Sequence, residues 1–457
     1  MNHIDMKLKM YPVLSKELSV SKIITEEGDD IILYNTATRV KAYPNTGTYE
    51  FAKRCRGDKL LQEIIVELSR MSGEAPEKVE KDLLPLMKTM EENEMISFIP
   101  SPLHPPRSEP REVTLFKRII SIIFDVTNRC NLRCKHCYND SGTKRDDELT
   151  FEEIKKMVDT FADIGVLNMV LSGGEPLLHP HIFDIIEYIR SKPMSCIIFT
   201  NGTLITKEVA KRFKELSILS VAISIDGATP ETNDSFRGIP KSFEKTAKAI
   251  EILKEAEIPV RVNVCLHKGI LDEFDDLLNL FRKWEITDYS IWPVSYTGRL
   301  EEPDFIITPE EYKKVLKQLK EYESTEGVKN ELPYVPQRIN CGTGMSSLTI
   351  RSNGAITLCS PFPYEISLGN IRKDSITEIW DNSELLCKIR CINASESEMC
   401  KGCRHIKVCQ GGCMAHNYRR TGKLECGDPF ECAYFDVYSE YTPVVATRQS
   451  RLSVEIR

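Results

Sequence analysis

Residues 125–139 read DVTNRCNLRCKHCYN, and the spacing of their cysteines decides how the rest of the chain is interpreted. Cys130, Cys134 and Cys137 give C-x3-C-x2-C directly after an apolar run. Structural zinc sites and ordinary iron–sulfur sites use four protein ligands, whereas a four-iron cube on three cysteines leaves one iron open. The spacing therefore predicts an iron–sulfur centre with an open position. The alternatives are a zinc site that borrows a fourth residue such as His136, or reduced thiols in the core.

The chain around this loop repeats short apolar runs and amphipathic helices. The runs are continuous rather than alternating, which is typical of parallel strands covered on both faces. They occupy residues 119–126, 168–172, 196–200, 219–225, 260–266 and 288–294. Helices are predicted to start at a Thr150–Glu153 capping box, after Ser242 and after Thr308. The pattern predicts an α/β fold, a partial (βα)6 barrel, with functional loops at the carboxyl ends of the strands.

Two further regions flank the repeat. Ahead of it, β-branched segments at residues 19–43 precede helical periodicity at 59–94, which predicts a β-meander with two or three helices, a winged-helix-like unit. Residues 100–110, PSPLHPPRSEP, contain five prolines and are typical of a linker. Beyond about residue 330 the fold is expected to depend on bound metal more than on a large apolar core. We expect domains at residues 1–100, 113–330 and 331–457, with a linker at 101–112.

The composition excludes several classes of protein. Sixteen cysteines in 457 residues are too few for a disulfide scaffold, although ten of them fall in the last 117 residues. The net charge of −7 without a long basic run argues against nucleic-acid and polybasic membrane-surface partners. The N-terminus has no signal-peptide apolar region, and the longest apolar stretch is far shorter than the ~20 residues of a membrane span. We expect a cytoplasmic protein whose clustered cysteines bind metal.

Polar and glycine-rich segments end the second, third and fourth strands of the repeat. They are Ser172-Gly173-Gly174-Glu175-Pro176, Thr200-Asn201-Gly202 and Ser224-Ile225-Asp226-Gly227. Paired glycines let a backbone approach a ligand closely, although the first segment on its own is more typical of a turn. Arg237 follows and could bind a carboxylate through two hydrogen bonds, with a surface helix arginine as the equal alternative. The segments predict a polar rim beside the cysteine loop.

From about residue 115 to 300 the chain resembles the radical S-adenosylmethionine (SAM) superfamily, through C-x3-C-x2-C and the Gly-Gly-Glu-Pro segment. The resemblance implies that Cys130, Cys134 and Cys137 hold a 4Fe-4S cluster whose open iron binds the amino and carboxylate groups of SAM. It implies that one-electron reduction then yields a 5′-deoxyadenosyl radical, which the protein positions. The positions implied in SAM binding are Ser172, Gly173, Gly174, Glu175, Pro176, Asn201, Ser224, Asp226 and Arg237.

The carboxy-terminal cysteines resemble the SPASM extension of radical SAM enzymes, which carries two auxiliary iron–sulfur clusters. The matching elements are Gly354-x4-Cys359 and a C-x2-C-x5-C-x3-C run from Cys400 to Cys413. The resemblance implies three 4Fe-4S clusters in all, one for SAM and two auxiliary. The ligands implied for the auxiliary clusters are Cys400, Cys403, Cys409 and Cys432 for one, and Cys341, Cys359 and Cys413 for the other.

Several assignments among these cysteines stay open. Cys432 is preferred to Cys426 because it follows an aspartate-proline segment. The fourth ligand of the cluster on Cys341, Cys359 and Cys413 is Cys387, Cys391 or an open iron position. The alternative for the whole set is a pair of zinc ribbons. The remaining cysteines are interpreted as buried small apolar residues, and they are Cys55, Cys196 and Cys265.

The whole chain looks closest to maturases that form sulfur-to-carbon thioether bonds in cysteine-rich peptides, the sactipeptide group. The most similar stretch is NCGTGMSSLTIRSNGAITLCSPFPYEISLGNI, residues 340–371. Residues 10–98 resemble a leader-peptide recognition element, in which a sheet edge could add a leader segment as an extra strand. The alternative for that unit is a structural or oligomerising domain. The partners implied are a ribosomally made precursor peptide with a leader and an electron donor such as ferredoxin or flavodoxin.

Two other functions stand beside thioether formation. One keeps the radical but makes a carbon–carbon or carbon–oxygen cross-link, or another edit of a peptide side chain. The other is a non-catalytic zinc or electron-transfer protein. Formylglycine formation is disfavoured, because Ser360 stands where sulfatase-type maturases carry an acidic residue after the cysteine of the GxxxxC element.

Overall fold

The computed structural model describes residues 6–15, 18–25, 28–35, 41–42, 46–106, 119–295, 298–300, 303–327, 342–363, 365–409, 411–424 and 427–438. Cys341, Cys426 and residues 107–112 of the predicted linker lie outside these ranges. Two large apolar cores are present, one built from residues between Leu14 and Ile96 and the other from residues between Ile119 and Tyr438. Across the described ranges, no helix has the length and apolar character needed to cross a bilayer.

The N-terminal unit combines two small antiparallel sheets with helices. Strands β1 (Tyr11–Leu14) and β5 (Ile96–Ile99) pair with each other, while β2 (Leu18–Thr25), β3 (Gly28–Asn35) and β4 (Lys41–Ala42) form the predicted meander. The helices are α1 (Thr46–Arg54), α2 (Leu61–Ser72) and α3 (Pro76–Glu92). Their apolar residues at intervals of three and four, such as Ile64, Leu68 and Leu83, are buried in the first core. The pairing of β1 with β5 was not predicted, because four-residue strands carry too little pattern.

Six parallel strands carry the central part of the chain. They are β6 (Ser121–Thr127), β7 (Asn168–Gly173), β8 (Ser195–Thr200), β9 (Ser220–Ser224), β10 (Val260–Leu266) and β11 (Tyr289–Pro293). Each strand lies beside the one before it in the sequence, so the sheet order is β11-β10-β9-β8-β7-β6. All six predicted strands are confirmed to within two residues. Because the strands are parallel, the loops that follow them meet at one edge of the sheet.

Helices connect these strands, as the repeat predicts. They are α4 (Phe151–Asp163), α5 (Ile182–Arg190), α6 (Lys207–Glu215), α7 (Pro230–Arg237), α8 (Ser242–Glu255), α9 (Phe274–Lys283) and, after β11, α10 (Pro309–Glu326). Capping boxes at Thr150 and Thr308 are present. The predicted start of α8 is wrong by one residue, because Ser242 is its first residue and Lys241 is the N-cap. The Ser242 hydroxyl instead donates to Asp234 Oδ1, at 2.7 Å.

The residues after 342 extend the barrel sheet. β12 (Ser347–Ile350) pairs in parallel with β6, and β13 (Ala355–Thr357) and β14 (Gly369–Asn370) continue the sheet antiparallel. The helices that follow are α11 (Ile376–Asn382), α12 (Glu384–Cys391), α13 (Ile406–Cys409), α14 (Met414–Thr421) and α15 (Pro429–Val437). Ile350, Ile356 and Trp380 are buried in the same core as the barrel. This part of the chain therefore shares a large apolar core, which the sequence did not show because strands of two to four residues bury side chains without a visible period; its dependence on bound metal stays a prediction.

Candidate functional site

The cysteine loop begins where β6 ends, at the edge where the loops of the parallel strands meet. Its backbone is held by Cys130 N, which donates to Gly142 O at 3.0 Å. Two other amides point at sulfur: Leu132 N donates to Cys130 Sγ at 3.4 Å, and Ser141 N donates to Cys137 Sγ at 3.3 Å. Hydrogen bonds of this kind to cysteine sulfur tune iron–sulfur clusters. The loop therefore presents its sulfurs in the manner of a cluster site.

The separation of the sulfurs tests whether the loop suits a single zinc ion. Zn–S bonds of about 2.3 Å in a tetrahedron put neighbouring sulfurs about 3.8 Å apart. Among the described residues, one set of three histidine, cysteine or acidic side chains has all its possible ligand atoms within 4.8 Å of one another. This set is His136, Asp226 and Cys265. The three cysteines of the loop form no such group. The three sulfurs are therefore not as close together as a single zinc ion requires, which disfavours a zinc site completed by His136.

Burial disfavours the thiolate form of the cysteines in this loop relative to the thiol. It raises the pKa of Cys130 to about 12, and it also raises the pKa of Cys134. Arg237 Nη1 lies 3.9 Å from Cys134 Sγ and lowers the pKa of that thiol in part. Because thiolates rather than thiols bind metals, the loop needs further positive charge to keep its cysteines ionised. A 4Fe-4S cluster would provide that charge, so the residues present fit it.

Gly173 and Gly174 bring the chain after β7 directly against the cysteine loop. A Cβ on Gly174 would stand 2.0 Å from Arg129 O, and one on Gly173, whose φ is 125°, would stand 2.4 Å from Thr127 O. The close approach lets Gly174 N donate to Thr127 O at 2.8 Å and Glu175 N donate to Arg129 O at 2.7 Å. The glycine pair thus forms a contact between two loops, which an isolated turn does not explain.

Glu175 is fully buried, and loop atoms already bind its carboxylate. Oε1 accepts hydrogen bonds from Thr200 Oγ1 at 2.8 Å and Leu177 N at 3.2 Å, and Oε2 accepts one from Asn201 N at 2.8 Å. The Asn201 side chain donates in turn to Asn131 Oδ1, at 2.9 Å. Glu175 and Asn201 therefore tie the ends of β7 and β8 to each other and to the cysteine loop.

Asp226 and Arg237 form a buried ion pair beside Cys134. Arg237 Nε lies 2.7 Å from Asp226 Oδ2, and the two side chains are 8% and 0% exposed. The other carboxylate oxygen, Asp226 Oδ1, accepts a hydrogen bond from Cys265 N at 2.8 Å. The alternative of a surface arginine was therefore wrong. Because a guanidinium already neutralises this carboxylate, the group of His136, Asp226 and Cys265 is poorly suited to a second cation.

The other predicted rim residues lie at the same edge. Ser172, at the end of β7, is buried, and its side chain forms a hydrogen bond with Tyr138. Pro176 is buried at the start of a single 3-10 turn, and Ser224 is the last residue of β9. The structure thus brings eight of the nine predicted SAM-binding positions to the strand ends around the cysteine loop, and the ninth, Arg237, reaches Cys134 from the end of α7. Their contacts with SAM remain a prediction.

Four carboxy-terminal cysteines lie close together. Burial, together with the neighbouring Cys400 and Cys403, raises the pKa of Cys432 to about 11. Burial also raises the pKa of Cys409, with added contributions from Cys432 and Cys400. Effects of this kind require neighbouring thiols. No three of these four place their sulfurs within 4.8 Å of one another, which again disfavours a single zinc ion.

The other predicted auxiliary ligands border a cavity of about 340 Å³ between the barrel and the carboxy-terminal part. Cys359 and Cys413 line it together with Trp292 from β11 and Phe362. Thr343, two residues after Cys341 in the sequence, also lines it. The cavity therefore places two of the three proposed cysteine ligands around one space, while the third lies outside the described residues.

Among the described residues, Cys359 and Cys413 are the only cysteines at the cavity wall, so none there is left to serve as a fourth ligand. Cys387 and Cys391 are exposed on α12, and neither lines the cavity. The wall instead includes His416, whose Nδ1 lies 3.0 Å from Asp428 Oδ1. His416 could not be identified from the sequence, because a single histidine after a cysteine run has no distinctive spacing.

Two other residues near the site were missed for the same reason. Glu148 is buried, and its Oε1 accepts from Asn128 N at 2.6 Å while its Oε2 accepts from Thr127 Oγ1 at 3.0 Å. It therefore fixes the start of the cysteine loop. Arg351 enters the same region from the turn after β12. Both belong to no recognisable motif, and their roles follow only from the tertiary structure.

Comparison with known proteins gives matches to both halves of the site. The sequence profile described as "Radical SAM superfamily" matches residues 124–281, and the SPASM profile, described as "Iron-sulfur cluster-binding domain", matches residues 341–404. An AdoMet-dependent heme synthase of Methanosarcina barkeri is 31% identical over 344 residues, which cover 68% of this chain and 96% of that protein. The subtilosin biosynthesis protein AlbA of Bacillus subtilis is 32% identical over 386 residues, 81% of this chain and 83% of AlbA.

Among solved structures, Streptococcus suis SuiB bound to its precursor peptide SuiA is similar in fold. The TM-score is 0.66 at 13% sequence identity, and the match covers 91% of this chain and 98% of SuiB. At that coverage the match has to include more than half of the first 106 residues. The similarity of fold therefore extends beyond the barrel and into the N-terminal unit.

Proposed function

The chain belongs to the radical SAM superfamily and carries a SPASM domain, and on that basis we propose that it modifies a ribosomally made, cysteine-containing precursor peptide. The proposed product contains intramolecular thioether bonds, each from a cysteine sulfur to a carbon of an acceptor residue. Each bond removes two hydrogens from the peptide: one as an atom taken by the adenosyl radical, the other as the thiol proton together with one electron.

The observation that carries this proposal is the likeness to AlbA, a protein named for the biosynthesis of the bacteriocin subtilosin. The AlbA alignment covers 81% of this chain, whereas residues 107–457 make up a smaller share. The alignment therefore reaches into the N-terminal unit. The alignment with the heme synthase is short enough to lie wholly after residue 106. The N-terminal unit is therefore the part of the chain that favours a peptide substrate over a tetrapyrrole.

The N-terminal unit offers a place for a leader segment. Its meander has the order β2-β3-β4, so β2 is an edge strand of eight residues, and no described strand pairs with its outer side. An extended leader could add there through main-chain hydrogen bonds. The unit also has a core of its own between Leu14 and Ile96. We propose that it binds the leader while the barrel performs the chemistry.

When bound, the reduced 4Fe-4S cluster and SAM supply a 5′-deoxyadenosyl radical, and the auxiliary clusters supply an acceptor for the remaining electron. Cys130, Cys134 and Cys137 would hold the first cluster, and the loop of Gly173 and Gly174 would support it from the side. Trp292 and Phe362 line the cavity beside Cys359 and would keep water from the reacting centre. The proposal includes three clusters and a one-electron donor such as ferredoxin or flavodoxin.

Two alternatives have specific support. The heme synthase is matched over 96% of its length, which favours an iron tetrapyrrole as a second candidate substrate. A carbon–carbon or carbon–oxygen cross-link would use the same clusters and the same leader site. A non-catalytic zinc protein has less support, because the cysteine sulfurs are spaced too widely for a single ion.

The first experiment measures the metal content of protein prepared without oxygen. Three four-iron clusters require about 12 iron atoms and matching sulfide per chain. A colourless protein that contains mainly zinc would contradict every proposed function that uses a SAM-derived radical. Cys134→Ala should abolish conversion of SAM to 5′-deoxyadenosine, because two cysteines should not retain the cluster. Cys55→Ala, at a buried cysteine outside the site, is the matched control and should leave the conversion unchanged.

The second experiment identifies the product. The reduced enzyme is incubated with SAM and a small cysteine-rich peptide encoded beside its gene, and in parallel with an iron tetrapyrrole. Thioether formation predicts the loss of two hydrogens per bond and a cysteine that no longer reacts with an alkylating reagent. A modified peptide whose cysteines are all free would overturn the thioether assignment but keep the peptide substrate. Conversion of the tetrapyrrole without any change to the peptide would overturn both the thioether assignment and the peptide substrate.

A further inference from the structure

Arg351 lies in the turn after β12, and its side chain is only 2% exposed. Its guanidinium donates to four acceptors, three on two different loops and one near the end of β6, where the first of these loops begins. Nη1 donates to Asn139 Oδ1 at 2.7 Å and to Asp125 Oδ2 at 3.1 Å. Nη2 donates to the carbonyl oxygens of Ser360 at 2.8 Å and Phe362 at 3.1 Å. One side chain therefore fixes the distance between these two pieces of backbone.

The two loops are the ones to which clusters are assigned. Asn139 lies two residues after Cys137, and Ser360 directly follows Cys359. Tyr138 strengthens the same junction, because its hydroxyl forms hydrogen bonds with side chains that include Ser360, and its ring centroid lies 6.0 Å from the guanidinium carbon. The junction thus joins the end of the SAM-cluster loop to the loop of an auxiliary ligand.

We propose that Arg351 is a positioning residue, which fixes the separation between the SAM cluster and the auxiliary cluster bound by Cys359. The inference rests on the proposed function, in which both loops hold clusters. In the proposed reaction the radical forms beside the SAM cluster and the remaining electron leaves to the auxiliary cluster, so the separation of the two clusters sets where the substrate must lie. Misplacement of reacting groups by about 1 Å can cost ~10²-fold in rate. A residue that holds both loops therefore controls whether a radical event ends in product.

The chemistry of arginine suits this role better than that of lysine. A guanidinium is planar and has five N–H donors in a fixed arrangement, so opposite nitrogens can bind acceptors on opposite sides. A lysine has the same charge but a single nitrogen. Arg351→Lys therefore keeps the buried positive charge and removes the two-sided connection, which separates positioning from charge.

Arg372 provides a matched control. It also connects the barrel with the β12–β13 turn: its Nη1 donates to Asp147 O at 2.9 Å and to Asn353 O at 3.2 Å. Its side chain is 33% exposed, and its two carbonyl acceptors lie at a distance in sequence from the proposed ligands: Asp147 is ten residues after Cys137, near the end of the connection from β6 to α4, and Asn353 is six residues before Cys359. Arg372→Lys therefore makes the same substitution between the same two parts of the fold, away from the clusters.

The test uses full-length enzyme, reconstituted with iron and sulfide and reduced with dithionite, without any peptide. Electron paramagnetic resonance identifies the SAM cluster as the signal that shifts when SAM is added. Its microwave power at half-saturation reports the magnetic interaction with a neighbouring reduced cluster. We expect Arg351→Lys to shift this power downward, while Arg372→Lys stays at the wild-type value with equal iron content. Asn139→Ala, which removes one acceptor and leaves the arginine, should shift it in the same direction.

The outcomes separate this inference from the one on which it rests. If Cys359→Ala removes an auxiliary signal but Arg351→Lys and Asn139→Ala both keep the wild-type half-saturation power, the positioning role is wrong and the cluster assignment stands. If Cys359→Ala leaves every signal unchanged, the cluster assignment is wrong and the inference falls with it. If Arg351→Lys does not take up iron, Asn139→Ala alone decides between the two results.

Discussion

Replacing Asp226 by asparagine tests the electrostatics of the proposed SAM site most directly. The substitution keeps the shape of the side chain but removes the negative charge that lies 2.7 Å from Arg237 Nε. Both side chains are almost fully buried, at 0% and 8% exposed, so little water can replace the lost charge. Arg237 would keep its own charge next to Cys134 with no carboxylate to balance it. We therefore expect a large loss of stability rather than a local adjustment.

The size of the loss follows from burial. Removing one partner of a buried ion pair costs about 3–5 kcal/mol, because the remaining charge stays desolvated and unpaired. Asp288→Asn is the matched control, because Arg261 Nη2 lies at the same 2.7 Å from Asp288 Oδ1 but the side chains are 20% and 33% exposed. A solvent-accessible pair contributes about 0–1 kcal/mol. The same chemical change should therefore have clearly different costs at the two positions.

The assay is urea unfolding of the iron-loaded proteins, together with the yield of 5′-deoxyadenosine from SAM in the reduced enzyme. Asp226→Asn should lower both the unfolding midpoint and the yield, while Asp288→Asn should change neither measurably. A double variant, Asp226→Asn with Arg237→Met, should regain part of the stability, since no unpaired charge stays buried. Equal unfolding midpoints for the two single variants would refute the reasoning.

Three further predictions come from other parts of the chain. Gly174→Ala should reduce the iron bound per chain, measured after reconstitution, because its Cβ would stand 2.0 Å from Arg129 O. Deleting residues 1–110 should weaken binding of the leader peptide, measured by calorimetry, but should spare SAM cleavage without peptide. The hydrogen bond from Arg372 lowers the pKa of Glu153 from 4.5 to about 2, so stability present above pH 4.5 should be lost as the pH falls towards 2. Glu153→Gln should remove this pH dependence of the unfolding midpoint, which amounts to about 1 kcal/mol or less for so exposed a pair.

The barrel could be predicted from the sequence because each strand carries its own signal. Runs such as 219–225 are apolar at five of seven positions, since β9 lies between two parallel neighbours and is covered on both faces. The cysteine loop could be predicted because ligand spacing within a loop is local. Both kinds of information lie within a few consecutive residues, and neither depends on how distant segments meet.

The other parts of the fold and of the candidate site depend on tertiary contacts that no local sequence pattern encodes. Arg351 follows Asp125 by more than two hundred residues, yet the two form a buried ion pair at 3.1 Å. The extension of the sheet by β12 depends on its parallel pairing with β6, which four residues cannot specify in advance. Glu175 illustrates an intermediate case: its motif was visible, but its hydrogen bonds to Thr200 and Asn201 required the structure.

The cysteine loop has a backbone held by hydrogen bonds, but burial disfavours the thiolate form of its cysteines. Main-chain bonds from Arg133 N to Arg237 O, at 3.1 Å, and from Lys135 N to Phe236 O, at 2.9 Å, hold it against the end of α7 without involving sulfur. Burial, however, raises the pKa of Cys130 to about 12, so the protein alone favours the thiol. Binding of a cluster would therefore release protons from these thiols, and its iron would supply the positive charge that the surrounding residues do not.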